Sequence, residues 1–510
     1  MSRPSYYRHP LNYMSICMEP GRPRPVLCGL WSGRLQSRLR HFYSGILIAA
    51  VLLAGQVKSA EYFVDKHGID NNDGLSKEKA FLTVQKGLDA LKSSDTLTIG
   101  PGEYFESVRR DNLGGPEADT IIRAEIPGTV LLRGDVAAPE FEKVKGYRFV
   151  YAAGFDREPQ AVNEVDTLTI METAPNVVEL EFAPGGCFYD AGEKKLYIST
   201  SDMQPPDYHH YTVSVIKNYG LFLHRPERVV LEGLAACGFN SSDQQAGSPG
   251  DYTVSGIMLA GGKNCVIRQC TAFLNANGIF ENSAHFTRYE ISSNQIPVYG
   301  GIIPESTNGP GGNLVEKCRA YGNYSRHSGS GGNILVFNST NDTIRDCVSY
   351  GSATHGIRHY GSIRGPAYMV NLLSWGNVIN DLHIKGGTKD GISHGFGYAD
   401  RCVTLGPLCV VNVSHCIIGQ ENRYNSNMTP ENIRYDLEGC SSRYLDFADP
   451  DNLDFRLQAT SKFRGKGPDG RDRGAFQYET NIFYVKPGGD DGADGLSAAK
   501  AWKTLSRASR

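Results

Sequence analysis

Arg358, Tyr360, His383 and Lys385 are the residues whose types and spacing point most directly to chemistry. They fall two apart within Gly356-Ile357-Arg358-His359-Tyr360 and within Leu382-His383-Ile384-Lys385, so a strand would carry each pair on one face. Stacked in a parallel array, equivalent strands lie about 4.8 Å apart, and the four residues would meet. Such a group has the parts needed for β-elimination from a uronic acid. Arg358 would neutralise the substrate carboxylate and so acidify the α-proton. Lys385 would remove that proton, and Tyr360 or His383 would protonate the leaving oxygen. Arg326, His327, His355, His394 and Glu305 are candidate substrate-binding residues close by in the repeat. The same ladder also reads as a solvated charged face.

Glycoside hydrolysis would instead need two carboxyl groups at a defined separation. Glu281, Glu305, Asp381 and Asp390 are available, but the repeat singles out no pair. Calcium is the one cofactor the sequence suggests, through the oxygen-rich turn Asp70-Asn71-Asn72-Asp73-Gly74. That turn lacks the loop spacing with a terminal Glu, and Asp, Asn and Gly are ordinary turn formers, which is the preferred reading. No metal site is assigned.

The elements that would position these residues are short and recur. One apolar segment returns as Val229-Val230-Leu231, Val266-Ile267-Arg268-Gln269-Cys270, Leu314-Val315-Glu316-Lys317-Cys318, Thr343-Ile344-Arg345-Asp346-Cys347, Met369-Val370 and Val411-Asn412-Val413 to Cys416. A small or amide residue follows, such as Asn275, Asn323, Gly351 or Asn377. Aligned on their inward residues, the strands that come next place Ile257, Ile279, Ile302, Ile334, Ile357 and Leu382 in one column. Most of these spacings are 22 to 25 residues, too short for strand-helix-strand crossovers and right for coils of a β-solenoid. The outward column then reads Met258, Phe280, Ile303, Leu335, Arg358 and His383, apolar at one end and cationic at the other.

The expected fold class is all-β, a right-handed parallel β-helix with an N-terminal capping helix and a β-rich insertion. Residues 61–478 form the solenoid domain: 61–135 the cap and first coils, 140–215 the insertion, 216–440 the main coils, and 441–478 the closing strands. The amphipathic segment from Ala80 to Leu91 is the capping helix, plugging an otherwise open core.

Residues 1–60 read as an N-terminal extension and signal peptide: the apolar run Gly45 to Ala54 follows Arg34, Arg38 and Arg40 and ends in small residues at Ser59 and Ala60. The expected location is therefore secreted, with no integral membrane span in the mature chain. Removing residues 1–60 leaves 44 basic against 54 acidic residues and shifts the net charge from −3 to −10. A surface this acidic excludes nucleic acid as a partner, because phosphate neutralisation dominates that affinity. The partner expected instead is a polysaccharide, bound by a monomer. Cys270, Cys318, Cys347 and Cys416 share one register of the repeat, which favours a column of buried thiols over disulfides.

The run Tyr62-Phe63-Val64-Asp65, Gly68, Asp70, Asp73-Gly74-Leu75-Ser76, Ala80-Phe81 and Thr83-Val84-Gln85, continued by Asp95-Thr96-Leu97, Ile99, Pro101-Gly102 and Tyr104, resembles the opening of exported bacterial right-handed parallel β-helix proteins of the pectate-lyase-like superfamily. The resemblance covers most of residues 61–478 and implies the fold. It implies carbohydrate chemistry only broadly, since such scaffolds host lyases, hydrolases and binders alike.

Near the end the opening returns. Phe483-Tyr484-Val485-Lys486, Gly495-Leu496-Ser497, Ala501-Trp502 and Thr504-Leu505 align on Phe63-Val64-Asp65-Lys66, Gly74-Leu75-Ser76, Ala80-Phe81 and Thr83-Val84. Residues 482–510 are read as the truncated start of a second cap. Function is expected to be a polysaccharide lyase acting on an acidic glycan, with a glycoside hydrolase or a non-catalytic carbohydrate-binding or adhesin solenoid as the alternatives.

Overall fold

The structure is a computed structural model that describes residues 59–217, 219–242, 254–282, 311–324, 331–337, 341–362, 367–370, 372–375, 377 and 380–386, with short stretches between 388 and 504. Three long parallel sheets make it a parallel β-helix. Each coil crosses them in a fixed order, as in Val229–Glu232, then Leu234–Cys237, then Ile257–Ala260, before Val266–Arg268 begins the next. The first sheet has eleven strands, the second nine and the third eight. The apolar segment read from the sequence, such as Val266 to Cys270, is thus a first-sheet strand and the corner after it, and a second-sheet strand, here Thr271–Phe273, follows at once.

The corner has a physical signature. Gly233, Gln269, Lys317 and Asp346 occupy equivalent positions with φ of 73°, 54°, 54° and 54°. This left-handed turn redirects the chain within a single residue, and it costs a non-glycine residue about 1–2 kcal/mol. The next residue, Leu234, Cys270, Cys318 or Cys347, drops into the interior and is at most 1% exposed. None of these three cysteines is in a disulfide, and Cys270 and Cys318 lie near enough for their thiols to interact. Burial pushes both thiols well above the usual range. The column of thiols is therefore present for these three, whereas Cys416 lies outside the described residues.

After the second sheet a further left-handed residue, Gly238, Leu274, Gly322 or Gly351, opens the next corner. A buried amide ladder satisfies the backbone there. Asn275 donates its backbone N–H to Asn323 Oδ1 at 3.0 Å, and Asn323 donates through Nδ2 to Asn333 Oδ1 at 2.8 Å and to the Ala272 carbonyl at 3.0 Å. Asn377 continues the series by accepting from the Ser352 backbone at 3.1 Å.

At the N-terminal end, Glu61–Val64 pairs with Thr96–Ile99, and the helix Val84–Ala90 packs Val84, Leu88 and neighbouring Leu91 into the main core. Asp70 fixes the approach to this helix. Its Oδ1 accepts from the Leu82 and Thr83 amides at 2.8 and 2.9 Å, and its Oδ2 accepts from Thr83 Oγ1 at 2.8 Å. Burial opposes ionisation of Asp70, but these bonds outweigh it and hold the carboxyl below its usual range. The turn considered for calcium therefore commits this carboxylate to backbone and hydroxyl donors. No group of three metal-ligating side chains occurs among the described residues.

The turn between Val485 and Thr504 repeats several hydrogen bonds of the turn between Val64 and Thr83. Val485 bridges Trp502 as Val64 bridges Phe81. Lys486 donates to the Trp502 carbonyl and Asp490 to that of Ala501, both at 2.9 Å, as Asp65 and Ile69 donate to Phe81 and Ala80. Asp491 accepts from the Lys503 and Thr504 amides at 2.8 and 2.9 Å, in the manner of Asp70. The offset is constant along both turns and pairs Val485 with Val64. The sequence alignment of Phe483 on Phe63 is thereby moved by one residue.

Between the coils that end at Arg133 and resume at Leu221 lie two small sheets. One orders Thr169–Ile170, Ala161–Glu164, Tyr211–Ser214 and Asp135–Ala137. The other contains the hairpin Gly186–Asp190 with Lys195–Ser199, in which Phe188 faces Tyr197 across the strands. Val162, Met171, Cys187, Leu196, Ile198 and Val213 form their shared core. Ile170 and Leu168 pack against Leu274 and Phe273 of the solenoid.

Candidate functional site

The third sheet sets the geometry of the candidate site. Its register pairs Ile257 with Ile279, Ile279 with Ile334, Ile334 with Ile357, and Ile357 with Leu382. Five of the six residues in the expected inward column are therefore neighbours as read. The rung paired with Ile279 is Ile334, and Ile302 and Glu305 lie outside the described residues.

One residue on, Leu335 pairs with Arg358 and Arg358 with His383. Two further along, Phe337 pairs with Tyr360 and Tyr360 with Lys385. Backbone register thus brings Arg358, Tyr360, His383 and Lys385 onto two adjacent strands, His355–Ser362 and Asn380–Gly386, in the pairs the sequence suggested. The register shifts between Tyr360 and Ser362, just past the candidate pair. Bulges of this kind re-aim side chains where a strand leaves its ladder. His355 begins the first of these strands, opposite Asn380, and is buried. Arg326, His327 and His394 lie outside the described residues.

The described side chains of the outward column are not open to solvent. Phe222, Met258, Ala260, Phe280 and Leu335 are each at most 3% exposed and form an apolar cluster separate from the interior core. Fully burying a large apolar side chain is worth about 1.5–3 kcal/mol, so an exposed strip of four would be costly. Arg358, at 7% exposure, continues this buried strip. A guanidinium in such surroundings interacts more strongly with an anion than one in bulk water.

At the other end of the same strip is a polar group that the sequence reading missed. Arg109 holds Asp111 through two hydrogen bonds of 2.7 and 3.0 Å, and its guanidinium lies 5.0 Å from the centre of the Phe222 ring. His224 pairs in register with Asp111, and its Nδ1 is 3.6 Å from Asp111 Oδ2. The bonds from Arg109 hold the Asp111 carboxyl below its usual range, and Asp111 in turn raises Arg109. This end therefore combines a carboxylate, an imidazole and a cation. The signal was present in Val108-Arg109-Arg110-Asp111 and Leu221-Phe222-Leu223-His224, but the intervening insertion hid that they are neighbouring rungs.

A second titratable cluster belongs to the insertion. His209, with its side chain 7% exposed, makes hydrogen bonds through Nδ1 to Asp166 at 2.8 Å and through Nε2 to Asp202 at 3.1 Å. Fully buried Glu164 accepts from Tyr211 Oη at 3.0 Å, Thr167 Oγ1 at 2.7 Å and the Ser201 hydroxyl. Burial disfavours the charged imidazole, but Asp166, Asp202 and the Glu164 charge outweigh it and raise its pKa. The arrangement joins three loops of the insertion and uses its polar atoms internally.

No protein-family model and no curated protein sequence matches the chain. Among solved structures, the chain is similar to XylC in complex with xylose at 12% identity and TM-score 0.44, over 70% of this chain and 65% of that one. It is similar to the pectate lyase Pel9A at 13% identity and TM-score 0.39, over 82% of this chain and 97% of that one. A lacto-N-biosidase of family GH136 from Eubacterium ramulus matches at 11% identity and TM-score 0.35, over 75% and 61%.

Proposed function

We propose that the protein is a secreted carbohydrate-active enzyme, a lyase that cleaves an acidic glycan by β-elimination on the outer face of the third sheet. The observation that carries this reading is the register placing Arg358 beside His383 and Tyr360 beside Lys385 on a chain that is otherwise acidic. Arg358 binds the uronate carboxylate and stabilises the enolate-like charge that develops there. Lys385 is the base for the α-proton, and Tyr360 or His383 returns a proton to the leaving oxygen. His355, Arg326, His327, His394 and Glu305 contact the flanking sugars. Secretion is the role assigned to residues 1–60; among the described residues no helix is long and apolar enough to cross a membrane.

The test is the ultraviolet absorbance of unsaturated products from a panel of acidic polysaccharides. Lys385→Ala and Arg358→Ala should each lower the rate by at least about a hundredfold, the scale of a lost general base or charge stabiliser, while the far-ultraviolet circular dichroism is unchanged. Full activity in both variants would move the site elsewhere. A non-catalytic solenoid is the second reading, favoured by the duplicated cap turn at Val485 to Thr504. It predicts glycan binding without any cleavage product across the same panel.

A further inference from the structure

We infer that the cleft between the two sheets of the insertion binds a neutral sugar. Its volume is about 760 Å³, within the range of roughly 300–1,000 Å³ seen for small-molecule sites. Its lining includes the half-buried rings of Phe188 and Tyr189 together with the buried core residues Val162, Cys187 and Leu196. The polar residues of the lining are Glu158, Gln160 and Ser242. A pyranose matches such a lining: it has a face of C–H bonds that packs on an aromatic ring, and a rim of hydroxyls that donate to a carboxylate.

Two further features make the site specific. Gln160 is 8% exposed, and its Oε1 accepts from the Ser242 amide at 3.1 Å and from the Ser242 hydroxyl at 3.2 Å. This contact fixes Gln160 by tying the insertion to the solenoid. Tyr189 is fixed in turn by its hydroxyl, which donates to the Phe155 carbonyl at 3.1 Å and leaves the ring as the contact surface. Glu158 is exposed and makes no ion pair among the described residues. Its carboxylate can accept two adjacent sugar hydroxyls, and its charge repels a uronate. The cleft therefore selects the opposite class of sugar from the cationic rungs at Arg358 and Lys385, and it does not depend on the lyase reading.

The experiment is calorimetric titration of the full chain with cellobiose, maltose, lactose, diacetylchitobiose and digalacturonate. At least one neutral disaccharide should bind. Glu158→Lys should weaken that binding about tenfold, the loss of a charge-assisted hydrogen bond, and should improve digalacturonate binding at this cleft. Tyr189→Ala should weaken neutral-sugar binding by a similar factor, whereas Tyr189→Phe keeps the ring and the affinity. Lys385→Ala should leave it unchanged. The inference is overturned if no neutral disaccharide binds, or if binding survives Glu158→Lys within about twofold; this exposed position tests the cleft even should Tyr189→Ala fail to fold.

Discussion

Replacing Asn323 with Ala tests whether the buried amide ladder holds the coils together. The side chain is fully buried and makes four hydrogen bonds: Oδ1 accepts from the Asn275 amide at 3.0 Å and from Asn275 Nδ2 at 3.1 Å, and Nδ2 donates to Ala272 at 3.0 Å and to Asn333 at 2.8 Å. Alanine leaves two donors and two acceptors without these partners. At about 1–3 kcal/mol for each buried unsatisfied group, the upper bound is roughly 4–12 kcal/mol. A water entering the vacated space can restore two or three of the bonds, so the expected loss is about 3–4 kcal/mol. Urea unfolding followed by circular dichroism measures the total. Hydrogen exchange at the Phe239 and Asn275 amides, which donate to Asn275 and Asn323 side chains, locates it. Asn323→Asp should be at least as damaging at neutral pH and should recover in part on acidification, when the protonated carboxyl regains a donor. A loss below about 1 kcal/mol with unchanged exchange would refute the reasoning.

The His209 cluster predicts a stability window. Its raised pKa gives a contribution that is full below the unfolded value near 6.5 and is lost as pH rises through the higher folded value. Asp166 and Asp202 are lowered, so their contribution is present above the unfolded value near 3.9 and lost as pH falls through the folded ones. Thermal melts across pH should show the alkaline decline flattened in His209→Asn; an unchanged profile would remove His209 as its cause. At the exposed corner residue Lys317, φ 54°, Lys317→Gly should stabilise by about 0.5 kcal/mol and Lys317→Val should destabilise by about 1 kcal/mol, read from urea midpoints. Cys270, Cys318 and Cys347 should take up iodoacetamide only as fast as the solenoid opens. Rapid labelling of these positions in the native state, mapped by mass spectrometry, would contradict the buried column.

Inward residues were the most legible in the sequence because burial fixes their type. Ile257, Ile279, Ile334, Ile357 and Leu382 could be aligned from hydrophobicity alone, and the register agrees. The rung paired with Ile279 is Ile334, 55 residues on, a spacing that hydrophobicity alone does not reveal. The corners were less visible: Gln269, Lys317 and Asp346 adopt a glycine-like conformation without being glycine. The rung Gly397–Asp400 went unnoticed between Val370 and Asn412 because Gly-Tyr-Ala-Asp has almost no apolar alternation. At the candidate site, spacing yielded the pairing of Arg358 with His383 and Tyr360 with Lys385. The burial of Met258, Phe280 and Arg358 was not legible, because alternation tells which face a residue takes but not whether that face is covered. Arg109, Asp111 and His224 needed the fold itself.

The insertion also alters how the first coils are joined to the rest. Val130 pairs with Leu234, and Thr120 with Val229, so adjacent rungs are separated by roughly 100 residues where a usual coil spans about 25. Two doublings of loop length add only about 1.2 kcal/mol of closure entropy, but the search for that contact is slow when the loop is unstructured. The insertion removes most of that search. Its strand Asp135–Ala137, directly after the outgoing rung, lies beside Tyr211–Ser214, with Ser214 opposite Asp135. Once this pair forms, the returning chain emerges next to where it left, and contacts distant in sequence become effectively local. The small antiparallel sheet thus acts as a clasp, letting winding continue across the seam.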